Sequence, residues 1–126
     1  MADDQEENEA ALHARALLER LRGQQARTDA CAARVLVALR QALRETGARY
    51  GVQQVRLFGS LARGDFDEER SDVDLLVWGI PAEERLNLVA DLWDQVGRPV
   101  HVLRAETASP GLVARVLAEG MVLDVA

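Results

Sequence analysis

The first part of the chain shows the periodicity of an amphipathic helix. Over residues 8–22, apolar side chains recur at steps of three and four residues, and charged side chains occupy most other positions. This apolar stripe consists of Ala10, Ala14, Leu17, Leu18 and Leu21. Gly23 predicts the end of this helix, and one long bent helix through the following connector is the alternative.

A second helix is predicted directly after that connector. Thr28 or Asp29 can cap its start, and it is expected to run to about Thr46. Its apolar stripe consists of Cys31, Val35, Leu39, Ala42 and Leu43. The sequence therefore predicts two consecutive helices before the first strand.

The remainder alternates short apolar runs with helical segments. The runs "VQQVRLFG", "VDLLVWGI" and "PVHVL" predict three strands, and "MVLDV" predicts a short fourth one. The second run is apolar on both faces beyond Asp74, which is typical of a strand in the middle of a sheet.

Two further helices lie between these strands. Pro81 predicts the start of the third helix and Gly97 its end. Its predicted apolar stripe consists of Leu86, Val89, Ala90 and Trp93. Ser109 and Pro110 are a cap and first-turn pair for a fourth helix.

This order of elements predicts a mixed α/β (α+β) fold, a small sheet of three to four strands with helices packed on it. The length of 126 residues favours one such domain. We expect residues 1–27 to form an acidic tail and helical extension, and residues 28–126 to form the domain itself.

Charge is concentrated at the N-terminus. The formal net charge is -6, and residues 1–9 contribute five of the acids, so the rest of the chain is close to neutral. Such a chain lacks the basic surface of a duplex nucleic-acid binder. Cys31 is the single cysteine, which excludes an intrachain disulfide, and it is expected to be a small buried side chain. Without a signal peptide or an apolar run long enough to span a bilayer, the expected location is the cytoplasm.

A Gly-Ser pair follows the first strand. The turn at Gly59 and Ser60 exposes backbone N–H groups where a helical turn begins, and such groups bind anions, especially phosphate. Gly59 would allow a close approach, and the Ser60 hydroxyl could cap the turn or donate to a phosphate. An ordinary strand-to-helix turn is the alternative, because Gly-Ser pairs are common in turns.

Two acids begin the second strand. Alternate residues of a strand share a face, so Asp72 and Asp74 lie on the same side. Two carboxylates this close repel each other unless one is protonated or a cation lies between them. Carboxylate oxygens suit Mg²⁺, which completes its coordination shell with water and substrate phosphates. The alternative is a solvated strand end, since an acidic segment precedes it.

Together these features resemble the minimal nucleotidyltransferase family, in the DNA polymerase β-like nucleotidyltransferase superfamily. The resemblance covers about residues 28–126 and is carried by Gly-Ser followed by Asp-x-Asp. The matching positions are Gly59, Ser60, Ala62, Arg63, Gly64, Ser71, Asp72, Asp74, Leu75 and Val77. It implies the nucleotidyltransferase fold, a nucleoside triphosphate with Mg²⁺ or Mn²⁺, and metal ligation by Asp72 and Asp74.

Two positions depart from the family pattern. Residues 61–71 make the spacer between Ser60 and Asp72 one residue longer than the family's usual ten, which a surface loop tolerates. His101 stands where the family places a third carboxylate. It could be a substitute general base, a ligand for a softer metal, the mark of a degenerate enzyme, or a histidine without a role. Glu106 or Asp124 could supply a carboxylate instead, but neither fits the pattern by position.

Arg63 has two interpretations of equal weight. It could reach an oxygen of the triphosphate, or it could pair with an acid of residues 65–69.

The resemblance implies transfer of a nucleoside monophosphate, most simply AMP from ATP, to a hydroxyl acceptor. Small members of the family are often antitoxins that adenylylate a tyrosine of a helical HEPN-type toxin, so the acceptor is expected to be a protein. A catalytically degenerate binding module is a second hypothesis, which His101 favours. A third is a small-molecule nucleotidyltransferase that works as a dimer, with the acceptor at the subunit boundary.

Overall fold

The structure, a computed structural model, describes residues 2–125. Helix α1 spans Ala2–Tyr50, and strand β1 spans Gln54–Phe58. Four further elements follow: α2 (Ser60–Arg63), β2 (Val73–Trp78), α3 (Arg85–Val96) and β3 (Val100–Arg104). A 3₁₀ turn, Ala82–Glu84, leads into α3, and the described chain ends with α4 (Pro110–Glu119) and β4 (Met121–Leu123).

The prediction of two N-terminal helices is wrong, and the alternative of one long helix is correct. Helix α1 passes through Gly23 and the following connector without a break. A glycine inside a helix costs only about 1 kcal/mol relative to alanine. Good helix formers flank Gly23 on both sides, so this cost does not end the helix. The expected division of the chain at residue 27 falls within this continuous helix and stays a prediction.

The four strands form one mixed sheet in the order β3-β2-β1-β4. Strand β1 pairs antiparallel with both β2 and β4, and β2 pairs parallel with β3. The prediction that β2 lies inside the sheet is confirmed. Its side chains are buried on both faces, since Leu75, Leu76 and Val77 all have no exposed surface.

The main core lies between one face of the sheet and the helices α1 and α3. Its fully buried sheet residues include Val55, Leu57 and Leu75, and α1 contributes Leu39 and Leu43. The thiol of Cys31 is buried and free, as predicted. Helix α4 connects β3 at one edge of the sheet to β4 at the other and contacts β1.

The predicted inward stripe of α3 is wrong in part. Leu88 and Leu92 are the fully buried residues of this helix, whereas Leu86 and Trp93 are 66% and 48% exposed. Helix α3 packs against both the sheet and α1. The positions of the sheet and of α1 together decide which side of α3 is buried. The sequence pattern of α3 alone does not reveal those positions.

The N-terminal half of α1 projects beyond the core. No residue from 4 to 30 is buried, and Cys31 is the first buried residue of the helix. We call residues 4–27 the α1 overhang. No helix in the described part of the chain has the length and apolar character needed to cross a membrane.

Candidate active site

The turn after β1 is built on a glycine that no other residue could replace without strain. Gly59 has φ +77°, and it links β1 directly to α2. A Cβ atom at this position would overlap Oδ2 of Asp74. The backbone of the Gly-Ser turn therefore lies directly against the carboxylate of the second strand.

Helix α2 is a single turn that starts at Ser60. The carbonyl of Gly59 accepts a hydrogen bond from the Arg63 amide, and the Ser60 carbonyl accepts from the Gly64 amide. The first amides of a helix have no acceptor inside it. These amides of the turn lie close to Asp74, and their binding of an anion stays a prediction.

Strand pairing brings the acidic pair and the histidine together. Asp74 lies opposite Phe58 of β1 on one side and opposite His101 of β3 on the other. His101 Nε2 lies 3.2 Å from Asp72 Oδ2, and the two side chains are 60% and 39% exposed. The three polar side chains therefore meet at one end of the sheet, next to the Gly59 turn.

The partly buried position of Asp74 makes its charged form less favourable than in water. Burial raises the pKa of the Asp74 carboxyl above its ordinary value, and the neighbouring Asp72 acts in the same direction. His101 and Arg63 act in the opposite direction, with His101 the stronger of the two. A cation bound between the carboxylates would relieve this repulsion.

The donor set suits a metal that brings other ligands with it. Within the described residues, no group of three His, Cys, Asp or Glu side chains is arranged to hold a metal ion. Asp72 and Asp74 therefore offer two carboxylates and leave the remaining positions to water and substrate. That is the usual protein contribution to a Mg²⁺–nucleotide site.

The two other acids considered as ligands lie at the opposite end of the sheet. Glu106 Oε1 accepts a hydrogen bond of 2.7 Å from the amide of Gly79, which follows the C-terminal end of β2. Asp124 follows Leu123, which pairs with Val55 rather than with the Gly59 end of β1. The expectation that neither acid belongs to the site agrees with this geometry.

Arg63 pairs with an acid of the following loop. Its Nε lies 3.4 Å from Asp65 Oδ2, and both side chains are 64% exposed. This contact matches the second of the two interpretations of Arg63. Because the pair is solvated, it contributes little to stability and leaves the guanidinium easy to redirect.

The loop that delivers Asp72 is fastened by an arginine that the sequence patterns did not single out. Arg98 donates to the Ser71 carbonyl at 3.1 Å. Its guanidinium also stacks 4.7 Å from the centre of the buried Phe66 ring. Arg98 lies just before β3, and only the parallel pairing of β2 and β3 brings it to this loop.

A cavity of about 190 Å³ lies on the other side of the Gly59 turn, between α2 and α4. Phe58, Ala62 and Leu112 give it apolar walls, and Arg63 and Arg115 supply positive charge. Arg115 was also missed in the sequence, since nothing in α4 indicates that this helix lies beside the Gly-Ser turn.

The four-stranded mixed sheet, with a Gly-Ser turn held against a paired carboxylate, defines a nucleotidyltransferase fold. Residues 41–124 match the family model described as polymerase beta, nucleotidyltransferase, so the chain belongs to this nucleotidyltransferase family. Among solved structures, it is 35% identical to one described as a minimal nucleotidyltransferase, with a TM-score of 0.61 over 68% of this chain and 90% of that one. The resemblance to minimal nucleotidyltransferases is confirmed.

Two further structures share the fold. One is a toxin-antitoxin protein crystallised with AMP-PNP, at 22% identity and a TM-score of 0.60 over 69% of this chain and 73% of that one. The other is described as a nucleotidyltransferase from Sulfolobus solfataricus, at 22% identity and a TM-score of 0.52 over 75% and 84%. No curated protein matches the sequence.

Proposed function

We propose that this protein transfers AMP from ATP to a hydroxyl group of a partner protein and releases pyrophosphate. The observation that carries the proposal is the contact between the Gly59 turn and Asp74, which is so close that it leaves no room for a Cβ atom. It supports the proposal because the chain belongs to a nucleotidyltransferase family and amides at the start of a helix are suited to binding phosphate beside a carboxylate pair.

Asp72 and Asp74 would hold Mg²⁺, or Mn²⁺, together with the triphosphate. Bound metal supplies charge neutralisation for the phosphates and polarises them toward attack. The residues of the chain do the positioning. The amides at Gly59 and Ser60 would face the triphosphate, and Arg63 and Arg115, which line the cavity beside the turn, would supply positive charge for its oxygens.

His101 is the proposed general base. When the neutral imidazole donates its Nε2 hydrogen to Asp72, Nδ1 is left to accept a proton. The acceptor hydroxyl would give its proton to Nδ1 as its oxygen bonds to the α-phosphorus, and the bond to pyrophosphate breaks. Asp72 would fix the orientation of the ring in addition to binding metal.

The proposed acceptor is a toxin of the helical HEPN type, which would make this protein an antitoxin. Support comes from the fold shared with a toxin-antitoxin protein crystallised with AMP-PNP. The family resemblance adds the expectation that a toxin tyrosine receives AMP.

A catalytically degenerate antitoxin is the second candidate. The observation that favours it is the imidazole of His101 where the family places a carboxylate, in a cluster that offers only two acidic ligands in the described chain. Such a protein would bind its partner, with or without nucleotide, and would transfer no AMP.

One experiment separates the two candidates. The protein, ATP and either Mg²⁺ or Mn²⁺ are incubated with the candidate toxin, and the intact mass of the toxin is measured. Gains of whole AMP units that disappear in the Asp72→Asn/Asp74→Asn double variant support transfer. A tight complex with no mass gain, for both metals, supports the degenerate antitoxin and contradicts transfer.

A further inference from the structure

The α1 overhang carries an apolar stripe that nothing in the described chain covers. Like the buried stripe that begins at Cys31, it follows steps of three and four residues; its central line is Ala10, Ala14, Leu17 and Leu21, and Leu18 flanks that line. Leu17 and Leu21 are 53% and 51% exposed. At about 1.5 Å per residue, the 24 residues of the overhang extend about 36 Å.

The overhang also separates its charges along its length. In its first turns every charged side chain is acidic: Asp4, Glu6, Glu7 and Glu9. Its later turns carry four arginines, Arg15, Arg20, Arg22 and Arg27, with Glu19 as the single acid among residues 10–27. Among the described residues, none of these side chains takes part in an ion pair.

Two overhangs with this charge pattern attract each other only when the helices run antiparallel. In an antiparallel pair of overhangs, the acidic turns of each helix lie beside the basic turns of the other, and each contact occurs twice about a two-fold axis. A parallel pair would set acid against acid and arginine against arginine. We propose that two copies of this chain associate through their α1 overhangs, antiparallel, about an axis near residues 15 and 16.

The apolar stripe fits the same register. Placing Ala14 opposite Leu17 also places Ala10 opposite Leu21, so each leucine packs on an alanine of the other helix. A small residue opposite a large one lets the helices approach closely without leaving a void. The same register brings Glu6 beside Arg27.

An acidic loop lies at the end of this overlap. The loop at residues 65–69 faces α1 near Leu21, Gln24 and Arg27 across an open groove. This loop carries Asp65, Asp67, Glu68 and Glu69. In the proposed register Asp4 of the second copy comes beside Arg27, so the loop repels the acidic first turn of the second copy while Arg27 attracts it.

A basic helix from a different protein is a poorer occupant of the stripe. It would satisfy the acidic turns, but it would meet like charge along Arg15, Arg20, Arg22 and Arg27. A second copy of this chain places opposite charge beside both the acidic and the basic turns of the overhang.

Sedimentation velocity of the full-length chain over a range of concentrations tests the proposal. We expect dimers of the wild type that Leu17→Glu converts to monomers. Leu12 is the matched control, because it is 63% exposed and lies on the opposite side of the helix from the stripe. Leu12→Glu introduces the same charge and should leave the dimer intact. A wild type that stays monomeric, or a dimer that Leu17→Glu does not weaken, overturns the proposal.

Disulfide crosslinking tests the direction of pairing, with Cys31 buried and out of reach. The antiparallel register predicts a disulfide between an Ala14→Cys chain and a Leu17→Cys chain in a mixture of the two. Crosslinking of each variant only with itself would indicate parallel pairing and overturn the proposal. Circular dichroism of each variant checks that the fold is retained.

Discussion

At the level of single residues, Gly59 and Asp74 constrain each other directly. Gly59 combines φ +77° with the absence of space for a Cβ, whereas Gly64 has φ +87° and open space, with no heavy atom within 4 Å of where its Cβ would lie. The two glycines flank the same short helix. Substitutions at both positions strain the backbone, but only a substitution at Gly59 also displaces Asp74. Comparing the two therefore isolates the effect of displacing Asp74.

Gly59→Ala should lower both stability and nucleotide binding. The left-handed conformation costs about 1–3 kcal/mol for a residue with a side chain, and the new methyl group must also push the Asp74 carboxylate aside. Gly64→Ala carries only the first cost. We expect Mg²⁺–ATP affinity, measured by calorimetry, to fall at least about tenfold for Gly59→Ala, or about 1.4 kcal/mol, and to stay near wild type for Gly64→Ala. Equal affinities for the two variants would contradict the role given to this contact.

His101 separates the enzyme from the degenerate antitoxin. His101→Asp rebuilds the family's third carboxylate beside Asp72 and should raise AMP transfer with Mg²⁺, which prefers oxygen ligands. His101→Ala should lower transfer by about 10²–10⁴-fold if the imidazole is the base. Transfer is measured as incorporation of labelled AMP into the partner. Equal transfer by wild type and His101→Ala would exclude the general-base role.

Glu106 lies at the end of the sheet remote from the site, and it should make the stability of the fold depend on pH. The hydrogen bond from the Gly79 amide lowers the pKa of the Glu106 carboxyl. A lowered pKa in the folded state stabilises the fold at neutral pH, and this contribution is lost as the pH falls through that pKa. Glu106→Gln should therefore be less stable than wild type at pH 7, by less than about 1 kcal/mol because the group is exposed, and equal to it in acid. Chemical unfolding at several pH values measures this difference, and a difference independent of pH would contradict it.

Among the elements, the loop between α2 and β2 depends on contacts from elsewhere in the chain. Phe66 is buried, and the carboxylate of Asp67 accepts hydrogen bonds from the amides of Glu69 and Arg70. Arg98 then ties the loop to the start of β3. These contacts hold the extra residue of this loop in an ordered turn just before Asp72.

Arg98→Ala should loosen this loop. The variant loses the hydrogen bond to the Ser71 carbonyl and the stacking on Phe66, together about 1–2 kcal/mol. Mg²⁺–ATP affinity should fall with it, because Asp72 directly follows Ser71. Arg70→Ala is the control, since Arg70 lies in the same loop with an exposed side chain. Hydrogen exchange of the loop amides measures the effect, and equal exchange in both variants would contradict the anchoring role.

For the molecule as a whole, one part of α1 contributes to the folded core, and another part, the α1 overhang, is proposed to mediate association. The residues of α1 from Cys31 onward build the core, and the family match covers residues 41–124. Deleting residues 1–27 removes no described residue that is buried. We expect the free energy of unfolding to change by less than about 0.5 kcal/mol, with Mg²⁺–ATP affinity retained and the dimer lost.

Thermal unfolding, calorimetry and sedimentation of the truncated chain measure these three properties separately. A large loss of stability would show that the overhang supports the core, and retention of the dimer would place the contact between copies elsewhere. Loss of nucleotide binding alone would mean that the overhang contributes to the site.

The sequence by itself determined the features that depend on local spacing. Strand periodicity put Asp72 and Asp74 on one face, the Gly-Ser pair marked the turn, and the apolar run of β2 indicated an inner strand. The succession of strands along the chain and the cap at Ser109 follow from equally local rules, and the Ser109 hydroxyl does accept from the Leu112 amide. His101 was placed beside the pair by the family resemblance, because the alternation of residues within β3 does not say which strand lies next to it.

Only the tertiary structure decided the features that depend on distant neighbours. Gly23 is compatible with a helix end and with a helix interior, and its context selects the interior. The buried side of α3 depends on two neighbours at once. The contacts of Arg98 depend on the pairing of β2 with β3, and the position of Arg115 depends on the path of α4. The contact between Gly59 and Asp74 arises where β1 and β2 meet, and it adds to the requirement for glycine that φ +77° already sets at this position.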